Sequence, residues 1–388
     1  MVIGMIILKR IIESLKLFKP NKAKARPLEA IQVGISPTCN LKCTFCPTVY
    51  MPDTDQSQMP LELFNRLVPY FPMAYWVYLQ GWGEPLLNKH IWKMADMVKG
   101  AGTKVGLTTN GTLLNENAIE KVIYHNIDLI SISIVNDTPE IHNKLRKGSE
   151  FNSIIDNVRK LVALKQKTNS TLSNTPKISL SYMLTTESIK NLPSMVKLAC
   201  ELGVDDLYAA NLDYVFNNEA DVSKVFSWDE KPNQEYTTLL SQTKDYAIAN
   251  NFSFRYCNMT LKEQEPVCKL DPNKFVFITS TGEVTPCTYL GRKINPRIYK
   301  GERYEIPQKS FGNIKDKTFQ EIWDKKEYVE FRECFSNRNN EYTMLVEEFM
   351  YAEQSLPKIK EFERKYENAM IKYSLPKECQ SCVKIYGI

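Results

Sequence analysis

Residues 30–47 read AIQVGISPTCNLKCTFCP, and they decide how the chain is organised. The first seven, AIQVGIS, alternate in the manner of a β-strand, with Ile31, Val33 and Ile35 at every second position. The strand runs straight into a loop carrying Cys39, Cys43 and Cys46 in C-x3-C-x2-C spacing. Three thiols in so short a loop can ligate three irons of a 4Fe–4S cluster, which leaves the fourth iron open to another molecule. A structural zinc would want a fourth ligand, and the nearest histidine, His90, is remote in sequence.

Outward from that loop the chain alternates. Strands are expected at 75–80, 104–111, 128–135, 177–185 and 205–212, with helices at 60–71, 88–100, 115–125, 150–166 and 190–202. With the first strand this makes six β/α pairs or nearly so, which predicts an α/β fold: a parallel sheet with helices outside, curled into a partial (β/α)6 barrel with its chemistry at the strand C-termini. The composition shifts near residue 213. Segment 217–250 reads as polar and helical, and FVFITSTGEVTPC (275–287) as a β-hairpin turning at Thr281-Gly282. A helix is expected over 318–334, and 341–373 has helical spacing. The expected units are an amphipathic N-terminal helix (1–29), the barrel (30–215), a helical connection (216–262) and a small α+β domain (263–388) with a helical insertion at 336–375.

The 388 residues are 43% hydrophobic and 24% charged, ample for a core, which excludes disorder and coiled coil as overall descriptions. A net charge of +5 argues for no nucleic-acid partner. No apolar run is long enough to span a bilayer. Residues 1–19 instead place Ile3, Ile7, Ile11, Leu15 and Phe18 on one helical face, which either docks on the main domain or makes a peripheral membrane contact. Ten cysteines without a secretion signal point to a reducing, cytoplasmic setting and to metal ligation rather than disulfides. Beyond the triplet, Cys268, Cys287, Cys379 and Cys382 form a second set, with Cys200, Cys257 and Cys334 outside both. Gly81-Trp82-Gly83-Glu84-Pro85 follows the second strand, where glycines permit close backbone approach and a carboxylate can accept from an ammonium group. The fourth strand supplies Ser131 and Ser133, followed by Asn136, Asp137 and Arg146; a hydroxyl and a guanidinium suit a ribose and a carboxylate.

The triplet, with Phe45 before its last cysteine, resembles the signature of the radical S-adenosylmethionine (radical SAM) superfamily. The Gly81, Gly83, Glu84, Pro85 stretch resembles that family's Gly-Gly-Glu-Pro element, with Trp82 inserted. Cys268, Gly282 and Cys287 are spaced like the opening of the SPASM and twitch auxiliary-cluster domains. Four downstream ligands fit one auxiliary cluster, as in the twitch form. The resemblance implies S-adenosylmethionine and two 4Fe–4S clusters, one held by Cys39, Cys43 and Cys46 and one by Cys268, Cys287, Cys379 and Cys382. It also implies methionine contacts from the glycine-rich stretch, ribose and carboxylate contacts from Ser133 and Arg146, and a flavodoxin- or ferredoxin-type electron donor. The expected activity is reductive cleavage of S-adenosylmethionine, then hydrogen abstraction from a substrate. The favoured outcome is dehydrogenation of a small sugar-like or cyclitol-like molecule. The alternatives are a peptide-modifying maturase, an epimerase using Cys257 as hydrogen donor, or a non-catalytic metal-binding module. Thr288 stands where sulfatase maturases carry an acid, which weighs against that peptide chemistry.

Overall fold

A computed structural model describes residues 26–50, 56–168, 176–229, 231–261, 264–351 and 355–388; the expected helix at 1–19 lies outside them. The sheet strands are β1 (Leu28–Val33), β2 (Ala74–Tyr78), β3 (Lys104–Thr109), β4 (Leu129–Ile134), β5 (Lys177–Leu184), β6 (Asp206–Asn211), β7 (Ser253–Tyr256), β8 (Phe275–Ile278), β9 (Glu283–Thr285) and β10 (Gly312–Asn313). They form one 10-stranded sheet in the order β10-β9-β8-β1-β2-β3-β4-β5-β6-β7. All neighbours from β8 to β7 are parallel, and β9 and β10 continue antiparallel.

The strands alternate, but with the apolar side outward. In β4, Ile130, Ile132 and Ile134 are buried, while Leu129, Ser131 and Ser133 are half-buried on the opposite face. The apolar side meets helices whose own stripes recur at three and four residues. One is α2 (Ile91–Gly100) with Ile91, Met94, Ala95 and Val98; another is α4 (Phe151–Thr168) with Ile154, Ile155, Val158, Leu161 and Val162. Each such Ile, Val, Leu or Met side chain contributes roughly 1.5–3 kcal/mol by burial. Where β4 and β5 meet, the other face carries Ser131, Ser133, Ser179 and Ser181, whereas at β1, β2 and β8 it carries a second apolar cluster of Ala30, Trp76, Tyr78, Phe275 and Phe277. α1 (Leu61–Asn65), α3 (Glu116–Tyr124), α5 (Leu192–Leu202) and α6 (Gln234–Ala249) are further helices of the chain.

Three expectations are corrected. The helix expected over 60–71 is only α1, followed by a 3-10 stretch, Val68–Met73, because Pro69 and Pro72 lack the N–H an α-helix needs. The polar segment 217–250 is a short helix, Asn218–Ser223, and then α6, and the connection also holds a strand, β7, too short to show as a pattern. The helix expected over 318–334 is Phe319–Trp323, after which α7 (Lys326–Tyr351) runs unbroken into the insertion and returns as α8 (Leu356–Lys372). α7 and α8 form a hairpin with its own small core of Val346, Phe349 and Phe362. Arg338, 1% exposed, ties its base by donating to Pro266 O, Met370 O, Tyr373 O and Gln264 Oε1.

The hairpin expected at 275–287 is β8 and β9, and Gly282 takes a φ of +94° at its turn. β8 does not stand apart from the barrel: it pairs with β1, Ala30 opposite Phe275 and Val33 opposite Ile278.

Candidate active site

β1 delivers the chain into the cysteine loop at the carboxyl edge of the sheet. Cys39 is exposed, Cys46 half-buried and Cys43 buried. Cys43 is fixed by a two-residue antiparallel bridge in which it lies opposite Arg146, and Thr44 N donates to Leu145 O at 2.9 Å. Burial pushes the Cys43 thiol up to about 11, against the pull of the Arg146 guanidinium. Phe45 is partly buried against the main core.

The Gly81–Pro85 loop packs directly on this loop. A Cβ on Gly83 would stand 2.3 Å from Thr38 O and 2.4 Å from Ser36 O, so only glycine fits. Glu84 N then donates to Thr38 O at 2.8 Å. The Glu84 side chain, 2% exposed, turns inward: Oε1 accepts from Thr109 Oγ1 at 2.7 Å and Leu86 N at 3.1 Å, and Oε2 from Asn110 N at 2.7 Å. Burial raises its pKa, and those donors with Arg146 oppose the shift. Glu84 therefore clamps the end of β3 to the loop after β2. A carboxylate has about four acceptor positions, and three are taken. Asn110 continues the connection, its Nδ2 donating to Asn40 Oδ1 at 2.9 Å and lying 3.7 Å from Cys39 Sγ.

At the end of β4, Ser133 lies beside Ser181 of β5 on the polar face. Asn136 Oδ1 accepts from Thr138 N and Oγ1, which turns the chain, while Asn136 Nδ2 and Arg146 Nε are buried without hydrogen-bond partners. His142, fully buried, feels both neighbours; burial and then the Arg146 charge hold it down at about 3. Two orphaned donors beside the cysteine loop fit a ligand that brings acceptor oxygens.

The second set converges although it spans more than a hundred residues of sequence. Cys268, Cys287, Cys379 and Cys382 line one cavity. Burial, then the neighbouring cysteines, pushes Cys287 up to about 12 and raises Cys268 and Cys379 as well. Thiols crowded like this do not ionise on their own, so a group bringing positive charge is what fits them as thiolates. Arg297 lines the same cavity and donates to Glu378 O at 2.9 Å.

Trp82 joins the two sites. Its Nε1 donates to Thr288 O at 2.9 Å, one residue past Cys287, and its ring meets Tyr214 and Tyr289 edge-on at 6.3 and 6.0 Å. Tyr289 donates to Asp213 Oδ2 at 2.8 Å, and Lys384 pairs with the same carboxylate. Cys257 follows β7, 1% exposed, with Sγ 2.7 Å from Tyr208 Oη and 3.5 Å from Lys269 Nζ. Cys334 Sγ lies 2.9 Å from Ser374 O, at the base of the helical hairpin. Sequence reasoning passed over Thr109, Asn110 and His142. The Thr-Thr-Asn-Gly run at 108–111 is the only signal for the first two, and by itself it reads as the end of a strand; His142 carries none.

Residues 33–208 match the model of the radical SAM superfamily, and residues 268–344 that of an iron–sulfur cluster-binding domain, SPASM. Among curated relatives, a tungsten-containing aldehyde ferredoxin oxidoreductase cofactor-modifying protein of Pyrococcus furiosus is 26% identical over 318 residues, 79% of this chain and 83% of the relative. An AdoMet-dependent heme synthase of Methanosarcina barkeri is 24% identical over 74% of this chain and 80% of its own. Among solved structures, Streptococcus suis SuiB bound to S-adenosylmethionine has a TM-score of 0.61 at 17% identity, covering 84% of this chain and 74% of that one. The structure of anSMEcpe with bound AdoMet and a peptide gives 0.57 at 18%, covering 89% and 97%. At these identities the structural likeness is one of fold. The SPASM match ends inside α7, before Cys379 and Cys382, which follow the α7–α8 hairpin in sequence and line the same cavity as Cys268 and Cys287. The cofactors are S-adenosylmethionine and two 4Fe–4S clusters. Among the described residues no helix is long and apolar enough to cross a membrane.

Proposed function

We infer that this chain, a radical SAM enzyme with a C-terminal SPASM domain, oxidises a small-molecule substrate of cofactor type by hydrogen abstraction. The single observation behind this reading is the pairing of two cysteine sets: an open triplet at the strand ends and a closed quartet in a buried cavity, bridged by Trp82. When bound, S-adenosylmethionine and its cluster supply a 5′-deoxyadenosyl radical that takes a hydrogen atom from the substrate. In this reading Cys39, Cys43 and Cys46 hold one cluster, with the Arg146 charge favouring the Cys43 thiolate, and the later four cysteines hold the other. The remaining acceptor position of Glu84 and the backbone of Gly81 and Gly83 would hold the methionine amino group. The orphaned donors of Arg146 and Asn136 would take its carboxylate, and Ser133 the ribose. Asp213 accepts from Tyr289 and pairs with Lys384, two residues that line the auxiliary cavity; in this reading it would take the proton released when the auxiliary cluster takes the electron from the substrate radical.

The curated relatives named above modify cofactors, which supports a cofactor-type small molecule rather than the sugar or cyclitol expected from sequence. A flavodoxin- or ferredoxin-type protein is the proposed electron donor. Anaerobically reconstituted protein should hold about eight irons and form 5′-deoxyadenosine from S-adenosylmethionine under reduction. Replacing Cys39, Cys43 and Cys46 with Ala should leave about four irons and no cleavage. Cleavage that survives the triple replacement refutes the assignment.

A further inference from the structure

Among the described residues, the charged side chains lining the cavity of the second cysteine set are Glu378, Lys384 and Arg297. The first two are matched locally: the Glu378 carboxylate pairs with Lys309 at 3.1 Å, and Lys384 pairs with Asp213. Arg297 is different. Only 4% exposed, it has no carboxylate within ion-pair distance among the described residues.

What it touches instead is the frame that carries the cysteines. Its Nη1 donates to Glu378 O at 2.9 Å, the carbonyl just before Cys379, and its guanidinium carbon lies 5.1 Å from the centroid of the Tyr214 ring. The strand that carries it, Arg297–Tyr299, pairs antiparallel with Glu302–Tyr304, and Ile298 N donates to Val215 O at 2.7 Å. Its charge also reaches Cys382. Burial and the neighbouring thiols raise Cys287 and Cys379, and the Arg297 charge opposes both shifts.

A buried cation without an opposite charge is costly, so a site that keeps one in place is complementary to an anion. Four thiolates around a 4Fe–4S core carry a net negative charge, and that charge grows by one unit when the core takes an electron. A fixed cation therefore favours the reduced state over the oxidised one.

We propose that Arg297 is the charge partner of the auxiliary cluster and raises its reduction potential, which equips that cluster to accept an electron. The proposal rests on the oxidative reading only for the source of the electron: the substrate radical loses one, the core gains it in passing from 2+ to 1+, and the proton released goes to Asp213. The effect on the potential stands on the cavity alone.

The test is a potentiometric titration of reconstituted holoprotein followed by electron paramagnetic resonance. The auxiliary signal is the one that persists when Cys39, Cys43 and Cys46 are replaced with Ala. At a fixed potential, Arg297→Gln should lower the ratio of reduced to oxidised auxiliary cluster about ten- to hundredfold, a midpoint lower by about 60–120 mV for a one-electron couple. Arg297→Lys keeps the charge and should stay close to the wild-type midpoint. If Arg297→Gln fails to hold the auxiliary iron while Arg297→Lys holds it at the wild-type midpoint, the charge is again what the cluster needs. An unchanged midpoint in Arg297→Gln, equal shifts in the two variants, or loss of auxiliary iron in both overturns the proposal. Failure of the wild-type protein to form 5′-deoxyadenosine would instead refute the proposed function and leave the measured midpoints standing.

Discussion

Replacing Glu84 with Ala separates two roles that a motif-based reading merges. If Glu84 serves only to hold the methionine ammonium group, its loss weakens S-adenosylmethionine binding and leaves the ligand-free protein as stable as before. The structure implies more. Truncation strands three buried donors at once, Leu86 N–H, Asn110 N–H and the Thr109 hydroxyl, at a residue only 2% exposed. A stranded buried donor costs about 1–3 kcal/mol. Burial already raises the Glu84 pKa, so part of the native gain is spent on desolvating the charge, and the expected net loss is at the lower end, about 2–3 kcal/mol. Guanidinium unfolding of the S-adenosylmethionine-free holoprotein should show a lower midpoint at unchanged slope. An unchanged midpoint, with only the ligand affinity reduced, would refute the clamp.

Three other outcomes are expected. His142 is held at about 3 when folded against about 6.5 unfolded, so the unfolded chain binds the extra proton and stability falls as pH drops from about 6.5 toward 3; His142→Leu should flatten that fall between urea midpoints at pH 7.5 and pH 5. Arg338→Met strands several carbonyls at the hairpin base and should cost at least about 2 kcal/mol, read as faster proteolysis of residues 326–372 and loss of auxiliary-cluster iron. Cys257→Ala should retain turnover with a product two hydrogens lighter than the substrate; a product of unchanged mass that takes up solvent deuterium and vanishes in this variant would establish epimerisation.

The barrel was legible because its strands obey a simple rule: one side is apolar and faces helices, as Ile130, Ile132 and Ile134 do. The cysteine loop was legible because three ligands fall within eight residues. Distance in sequence hid the rest. Nothing in the Thr108–Gly111 run shows that Asn110 will lie 3.7 Å from Cys39 Sγ, because that contact is made only when β3 comes to rest two strands away from β1. Glu84 was singled out for its charge, but its donors come from a different strand end and from its own turn, so its inward clamp was invisible. Trp82 looked like an interruption of a glycine motif; its partner, Thr288 O, belongs to a loop more than two hundred residues later.

The pairing of β1 with β8 ties the order of synthesis to the assembly of the metal loop. As the chain emerges from the ribosome, β1 is made early and β2 soon joins one side of it. Its other edge stays open until residues 275–278 have been made. An uncovered parallel edge next to three metal-binding thiols is a hazard for a nascent chain, both for strand pairing between molecules and for premature metal capture. Iron delivery to Cys39, Cys43 and Cys46 is therefore best suited to the finished polypeptide. Chains that terminate before residue 275 should accumulate as aggregates rather than as small working barrels.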